Sequence, residues 1–213
     1  MFENDFNFML SIFRDIWIFY RIRKVKNYKM GIVYKSLGNQ HLSDHILKEF
    51  NRYQEVKRCW RKENNKWYLR DIAFIEQWNE QDKREIIQSL RETIAGKGVV
   101  YGAFEENILV GFASVEGLLI GSRKQYAVLH HIYTSYGYRG QGIGKKLFTK
   151  TCEFAKNIGA EKLYISAHSS EESQLFYKGL GCKDVEEIDD YLYQLEPFDC
   201  HMELILSKRY SFV

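Results

Sequence analysis

Proline occurs once in the 213 residues, at Pro197. With aromatic residues at 15% and apolar residues at 45%, that scarcity argues against low-complexity disorder over most of the length. Cysteine is sparse too: Cys59, Cys152, Cys182 and Cys200 lie far apart and form no CxxC pair. No His/Cys spacing resembles a zinc site, so no metal is expected, and reduced thiols in a cytoplasmic protein are the simplest reading. Strong charge of one sign is also missing. A net charge of +3 gives no electrostatic case for a dedicated nucleic-acid binder. Long hydrophobic runs are absent as well, because Arg14 and Asp15 interrupt the apolar N-terminal stretch well short of the ~20 residues a membrane span needs. No stable membrane insertion is expected. A secretory signal is not expected, because the basic residues follow the apolar ones instead of preceding them.

What the N-terminus does contain is Phe13, Ile16, Trp17 and Tyr20 at helical spacing, followed by Arg21, Arg23, Lys24 and Lys26. This predicts an amphipathic helical extension over residues 1–29, packed on the domain or on a second subunit. The other readings are an interfacial membrane anchor, or synthesis that begins at Met30. Residues 30–213 are expected to form the main domain.

Within it, "GIVYKSL" reads as a short strand. A helix is expected from Leu42 to about Trp60, with Ser43 as cap and Ile46, Leu47 and Phe50 inward. "RKENNKWYLRDIAF" reads as a loop with an extended piece, and a second helix runs from Gln81 to about Ala95, stopped by Gly96 and Gly98. Then the period changes. "VVYGAFEENILVGFASVEGLLI" alternates as a hairpin, "QYAVLHHIYT" is another strand, and a helix runs to about Asn157. "KLYISAH" is a strand, "SSEESQLFYKGLG" a short helix with Ser169 and Glu172 as its cap, and "CHMELIL" a last strand. Such an order implies a mixed α/β (α+β) domain around a mostly antiparallel central sheet flanked by helices.

Between the "QYAVLHHIYT" strand and its following helix stands "YRGQGIGKKLF", residues 138–148. Glycines at the mouth of a helix leave the first amides open, where the helix dipole adds partial positive charge, and Arg139 and Lys145 add more. The ligand expected at this turn is a phosphate or pyrophosphate. The dinucleotide pattern GxGxxG and the P-loop GxxxxGK[ST] both fail here. A third pattern, Arg/Gln-x-x-Gly-x-Gly/Ala, is met by Arg139, Gly142 and Gly144, with Gly140, Gln141 and Ile143 between them.

On these residues the chain resembles the GNAT superfamily of acyl-CoA-dependent N-acetyltransferases, clearly from Gly98 to Leu206 and less closely from Leu42. The resemblance implies acetyl-CoA as co-substrate, its pyrophosphate held by residues 139–145. It places Ile132, Tyr133 and Thr134 along the pantetheine arm and the thioester. Tyr136 stands where relatives have proline. "SSEESQLFYKGLGC" is similar to a further family segment through Phe176, Tyr177 and Gly181, with Ser170 in place of the usual asparagine. The resemblance also implies Tyr177 as general acid near the cofactor sulfur.

Acyl transfer to an amine needs a base for the ammonium and an acid for the thiolate. His130 is the candidate base: it lies two residues before Ile132, so alternation puts it on the face of Ile132 and Thr134, with His131 on the opposite face. A packing role for His130 and for Tyr177, and proton relay through water, stay open. Weaker candidates are Glu116, the acidic run Asp184 to Asp190, and Trp60, Trp67, Tyr68 and Trp78 around an acceptor cleft. Cys152 falls within the apolar pattern of its helix and is not expected to be a nucleophile. The expected activity is N-acetylation of a primary amine on a small molecule. The alternatives are a silent acyl-CoA-binding module and a protein N-acetyltransferase, and a homodimer is open.

Overall fold

The computed structural model describes residues 31–64 and 66–206, so the expected N-terminal helix over residues 1–29 lies outside the described residues. In chain order they form β1 (Val33–Leu37), β2 (Gln54–Glu63), β3 (Lys66–Glu76), α1 (Glu80–Ala95), β4 (Val99–Glu105) and β5 (Ile108–Val115). There follow β6 (Tyr126–Thr134), α2 (Ile143–Asn157), β7 (Lys162–Ala167), α3 (Glu171–Gly179), β8 (Lys183–Asp184), α4 (Asp190–Leu195) and β9 (Cys200–Ile205). Seven strands make one sheet in the order β1-β4-β5-β6-β7-β9-β8. Every neighbouring pair is antiparallel except β6 and β7, which α2 connects as a parallel pair. The architecture is mixed α/β around a mostly antiparallel sheet.

Each helix follows from its sequence. Asn79 caps α1: its side chain accepts from the amides of Gln81 and Asp82, and the Asn79 amide in turn donates to the Asp82 carboxylate at 2.7 Å. Such a cap is worth about 1 kcal/mol. Ile87, Leu90 and Thr93 are its buried face. In α2 the buried positions are Ile143, Leu147, Phe148, Thr151, Cys152 and Ala155, the stripe of a helix laid on a sheet. α1 packs with Leu42, Leu47 and Phe50 on one face of β4 and β5, through Val100, Phe104 and Phe112. α2 takes the other face, against Ala103, Val110 and Ala113, while Phe148, Cys152 and Ala155 continue that core towards Leu129, Leu163, Ile165 and Met202.

Two expectations fail. The helix expected from Leu42 to Trp60 is absent: turns occupy residues 44–49, and an extended hairpin of β2 and β3 follows. Leu47 and Phe50 do point inward. Further on, the hairpin's register shifts between Val56 and Arg58, and the buried Val56 and Cys59 fall three apart, a spacing that imitates a helix. The cap of α3 is Ser170, whose side chain accepts from the Ser173 amide, in place of the expected Ser169 with Glu172. All four cysteines are buried and unpaired, and burial pushes the thiols of Cys152, Cys182 and Cys200 up to about 12. Cys152 is a packing residue of α2. Among the described residues no helix is long and apolar enough to cross a membrane.

Phe112 is fully buried, with its ring 5.4 Å from Phe50, 5.5 Å from Tyr133 and 6.3 Å from Trp78. Phe112→Ala should therefore lower unfolding free energy by about 3–5 kcal/mol in urea titrations. Leu175→Ala, at a position 65% exposed, should change it by less than about 0.5 kcal/mol.

Candidate active site

β6 and β7 pair only from Tyr126 with Lys162 to Leu129 with Ile165. At His130 an extra residue enters β6: Ser114 pairs His131 and Val115 pairs Leu129, so His130 is bulged. A bulge bends its strand. Beyond it β6 stays bonded to β5, and β7 to β9. The inner edges part and open a cleft of about 810 Å³.

The glycine turn stands at one end of this cleft. Gly140 and Gly142 have φ of +75° and +80°, in the left-handed region that glycine alone enters without strain. Gly142 is the N-cap of α2 and offers no capping side chain. The amides of Ile143, Gly144 and Lys145 thus precede the first intrahelical bond, which Lys146 donates to Gly142. A Cβ on Gly140 or Gly142 would meet nothing within 4 Å, whereas one on Gly144 would come 3.2 Å from the Phe176 ring. The turn is open to an anion and closed on its inner side by Phe176. Arg139 also lines the cleft, but it donates from Nε to the Thr134 carbonyl and from one terminal nitrogen to the Arg52 carbonyl, each at 3.1 Å.

His130 does not share a face with Ile132 and Thr134, and His131 is not opposite it. The bulge turns both imidazoles to the α1 side, where they stack with centroids 4.2 Å apart and planes within 15°. His131 Nε2 lies 2.9 Å from Ser89 Oγ on α1, and burial drives its pKa down to about 3, so it is neutral. Tyr133 follows on that side, 5.9 Å from the His131 ring. Ile132 instead packs with Ile143 and Leu147 beneath α2. His130 lines the cleft with its side chain 46% exposed, and its Nδ1 is 2.7 Å from Glu116 Oε1. Glu116 also accepts from Thr93 Oγ1 at 2.7 Å, and the His130 hydrogen bond holds its carboxyl below the usual range.

Tyr177 is 7% exposed and lines the cleft, its ring 6.2 Å from Phe148 and 5.1 Å from Phe176. Burial raises its pKa far above that of a free phenol, so it stays protonated. Ser170 is fully buried and does not line the cleft: its hydroxyl accepts from Gln54 at 3.3 Å and donates to Ser173 at 3.0 Å. Ser173, the residue it caps, lines the cleft instead. Gln141 is also outside the lining and donates to the Gly137 carbonyl.

The profile of the acetyltransferase (GNAT) family matches residues 53–182. The chain belongs to the GNAT acetyltransferase family. Three solved structures share its fold. Nourseothricin acetyltransferase is 14% identical, with 83% of this chain and 99% of that one covered at a TM-score of 0.60. A protein from Bacillus anthracis str. Ames, in complex with acetyl coenzyme A, is 16% identical over 83% and 98%, also at 0.60. PaiA N-acetyltransferase from Thermoplasma acidophilum, in complex with coenzyme A, is 18% identical over 83% and 99%, at 0.51. No curated protein matches the sequence.

This GNAT chain has a second end to its cleft that the sequence did not reveal. Arg52 from the start of the hairpin, Glu76 from the end of β3, His168, Glu196 and Asp199 converge there with Tyr133. Arg52 bonds Glu76 at 2.5 Å and lies over the Tyr133 ring at 5.1 Å. His168 Nε2 is 3.4 Å from Glu76. The signal for the hairpin was Asn64-Asn65 between β-rich stretches; Asn64 has φ of 49°, as a tight hairpin turn requires. Among the described tryptophans, Trp78 reaches this neighbourhood, its ring 4.8 Å from Tyr133 though outside the cleft lining. Trp67 donates to Asp184 instead.

Burial, together with the nearby carboxylates of Glu196 and Glu76 and against Arg61, pushes Asp199 up to about 7. An unfolded aspartate titrates near ~3.9. Between these values the folded state holds the extra proton, so this group's contribution to stability falls as pH rises from about 4 to about 7, then levels. Asp199→Asn removes that dependence. Urea unfolding at pH 4, 5.5, 7 and 8 should show the variant gaining on the parent by up to about 1.4 kcal/mol per pH unit across that window. Parallel stability curves would refute the buried-carboxyl account.

Proposed function

We propose that this GNAT chain transfers the acetyl group of acetyl-CoA directly to a primary amine of a small, cationic molecule. The observation that carries the reading is the uncapped α2 N-terminus at one end of a cleft whose middle holds His130 and Tyr177. The amides of Ile143, Gly144 and Lys145, with the side chains of Arg139 and Lys145, suit the pyrophosphate of acetyl-CoA. Ile132 and Thr134 lie where β6 leaves β7, and their strand edge suits the amides of the pantetheine arm. Bound there, acetyl-CoA supplies the activated acyl group. Ser173 lines the cleft where Ser170 does not, and its hydroxyl suits a hydrogen bond to the same pantetheine arm.

Carboxylates supply the preference for a cationic acceptor. Glu76 and Glu196 face the cleft beyond Tyr133, joined by Asp199 once it ionises near pH 7, and low-dielectric walls strengthen their field. His130 accepts the proton that the ammonium must lose before its nitrogen attacks the acyl carbon. Tyr177, protonated at any working pH, donates to the departing thiolate. Both are ordinary general acid–base roles, each contributing about 10²–10⁴ in rate.

Purified protein with a hundredfold excess of acetyl-CoA over its dissociation constant should gain about 2.7 kcal/mol of stability. Gly142→Glu puts a carboxylate where the anion would sit and should abolish the gain. No shift in the parent would overturn the cofactor assignment. With turnover followed as released thiol over an amine panel, Tyr177→Phe should lower kcat by about 10²-fold with the acetyl-CoA-induced shift preserved. Unchanged kcat would remove Tyr177 from the chemistry, and a cofactor shift without turnover on any amine would favour a binding module.

A further inference from the structure

We propose that Glu116, at the end of β5, is a positioning residue that fixes the tautomer of His130, so that Nδ1 carries the ring proton and Nε2 presents its lone pair to the cleft. The inference rests on the acetyltransferase reading for its purpose, and on the hydrogen bonds alone for its content. Glu116 Oε1 lies 2.7 Å from His130 Nδ1. An ionised carboxylate can only accept, so the proton of that hydrogen bond belongs to the imidazole. A neutral imidazole has one N–H; with it committed to Glu116, Nε2 is left as the acceptor.

Glu116 is itself held from two directions. Thr93 Oγ1 donates to the same oxygen at 2.7 Å, and the Glu116 amide donates to the Val128 carbonyl at 3.0 Å. Thr93 is 1% exposed, so this donor cannot drift to water. Ser89, one turn earlier on α1, sits 2.9 Å from Nε2 of His131, on whose ring His130 stacks. Residues four apart lie on one helix face. A single face of α1 therefore fixes both rings, His131 directly and His130 through Glu116. His131 is neutral and places no charge against its neighbour when His130 takes up a proton. On proton uptake at Nε2 the new imidazolium keeps its Nδ1 hydrogen bond to the carboxylate, which then faces a positive charge. The proton leaves again to solvent at the exposed ring.

The test reads the tautomer without substrate. In protein labelled with ¹⁵N-histidine, the His130 ring is identified by its loss in His130→Asn, and two-bond ¹H–¹⁵N spectra are recorded above the range where imidazole titrates. The parent should show a protonated Nδ1 and an unprotonated Nε2. Glu116→Gln keeps an acceptor oxygen and should keep this tautomer and most of kcat. Glu116→Leu should switch the ring to Nε2–H and lower kcat at least about tenfold, with KM for acetyl-CoA unchanged. Glu116→Ala serves the same comparison if the leucine variant does not fold. An Nε2–H tautomer in the parent, or Nδ1–H surviving in both Glu116→Leu and Glu116→Ala, would overturn the proposal. A glutamine variant that behaves like leucine would overturn it as well, since charge alone would then be the contribution. If the parent transfers no acetyl group, the acetyltransferase reading fails while the spectra still decide the Glu116 question.

Discussion

Hydrogen bonding between β6 and β7 stops at Leu129 and Ile165, and the whole site depends on that stop. Adjacent strands lie about 4.8 Å apart, too close to admit any ligand arm. One extra residue in β6, His130, turns the strand out of register with its neighbour. The separation is tolerable because each strand keeps its outer partner, β6 with β5 and β7 with β9. Only the inner-edge ladder is forgone. The backbone groups left there are donors and acceptors of the kind an amide-bearing ligand satisfies.

The cleft so formed is electrically polarised along its length. At one end the α2 N-terminus directs the amides of its first turn and the positive end of the helix dipole into it, with Arg139 and Lys145 alongside. At the other, burial, with Glu196 and Glu76 crowded nearby, raises Asp199 until it holds its proton up to about pH 7. Arg52 moderates the crowding through its bond to Glu76, and its carbonyl accepts from the Arg139 guanidinium. The β2–β3 hairpin thus touches both ends. An anion and a cation bound in this cleft would each meet a complementary field, with the half-buried Tyr133 and the buried Tyr177 between them.

Legibility in the sequence followed the range of the interactions involved. From Gly98 onward the alternation of "VVYGAF" and "ILVGFASV", the helical stripe of residues 143–155 and the glycine turn are local signals, and all three appear where they were expected. Family and co-substrate chemistry were legible from the same turn, because glycine dihedrals and open amides depend on few neighbours. Residues 42–63 misled because burial there does not follow one period: turns bury Leu47 and Phe50, and an irregular hairpin buries Val56 and Cys59. Ser170 was misread for a related reason. Of two adjacent serines, the one that caps α3 is decided by contact with Gln54, a partner 116 residues away. Asp199 and Glu196 could not be grouped with Glu76 from sequence at all, since only the return of the chain before β9 brings them together.

The faces of His130 and His131 were the most consequential misreading, and its cause bears on how the site is organised. Strict alternation would set His130 with Ile132 and Thr134 beneath α2, on the side of the glycine turn. The bulge is a property of the β5–β6 pairing and has no signature in "LHHIYT" by itself. It lets consecutive residues, His130 and His131, face α1, after which Ile132 returns to the α2 side and Tyr133 to the α1 side. One strand thereby presents different groups on opposite faces: Ile132 beneath α2, and two imidazoles on the α1 side, His131 held by Ser89 and His130 by Glu116, which Thr93 bonds in turn. The same inserted residue that parts the strands also directs a titratable side chain into the gap. Opening the cleft and placing an imidazole in it thus follow from one backbone feature, the bulge at His130.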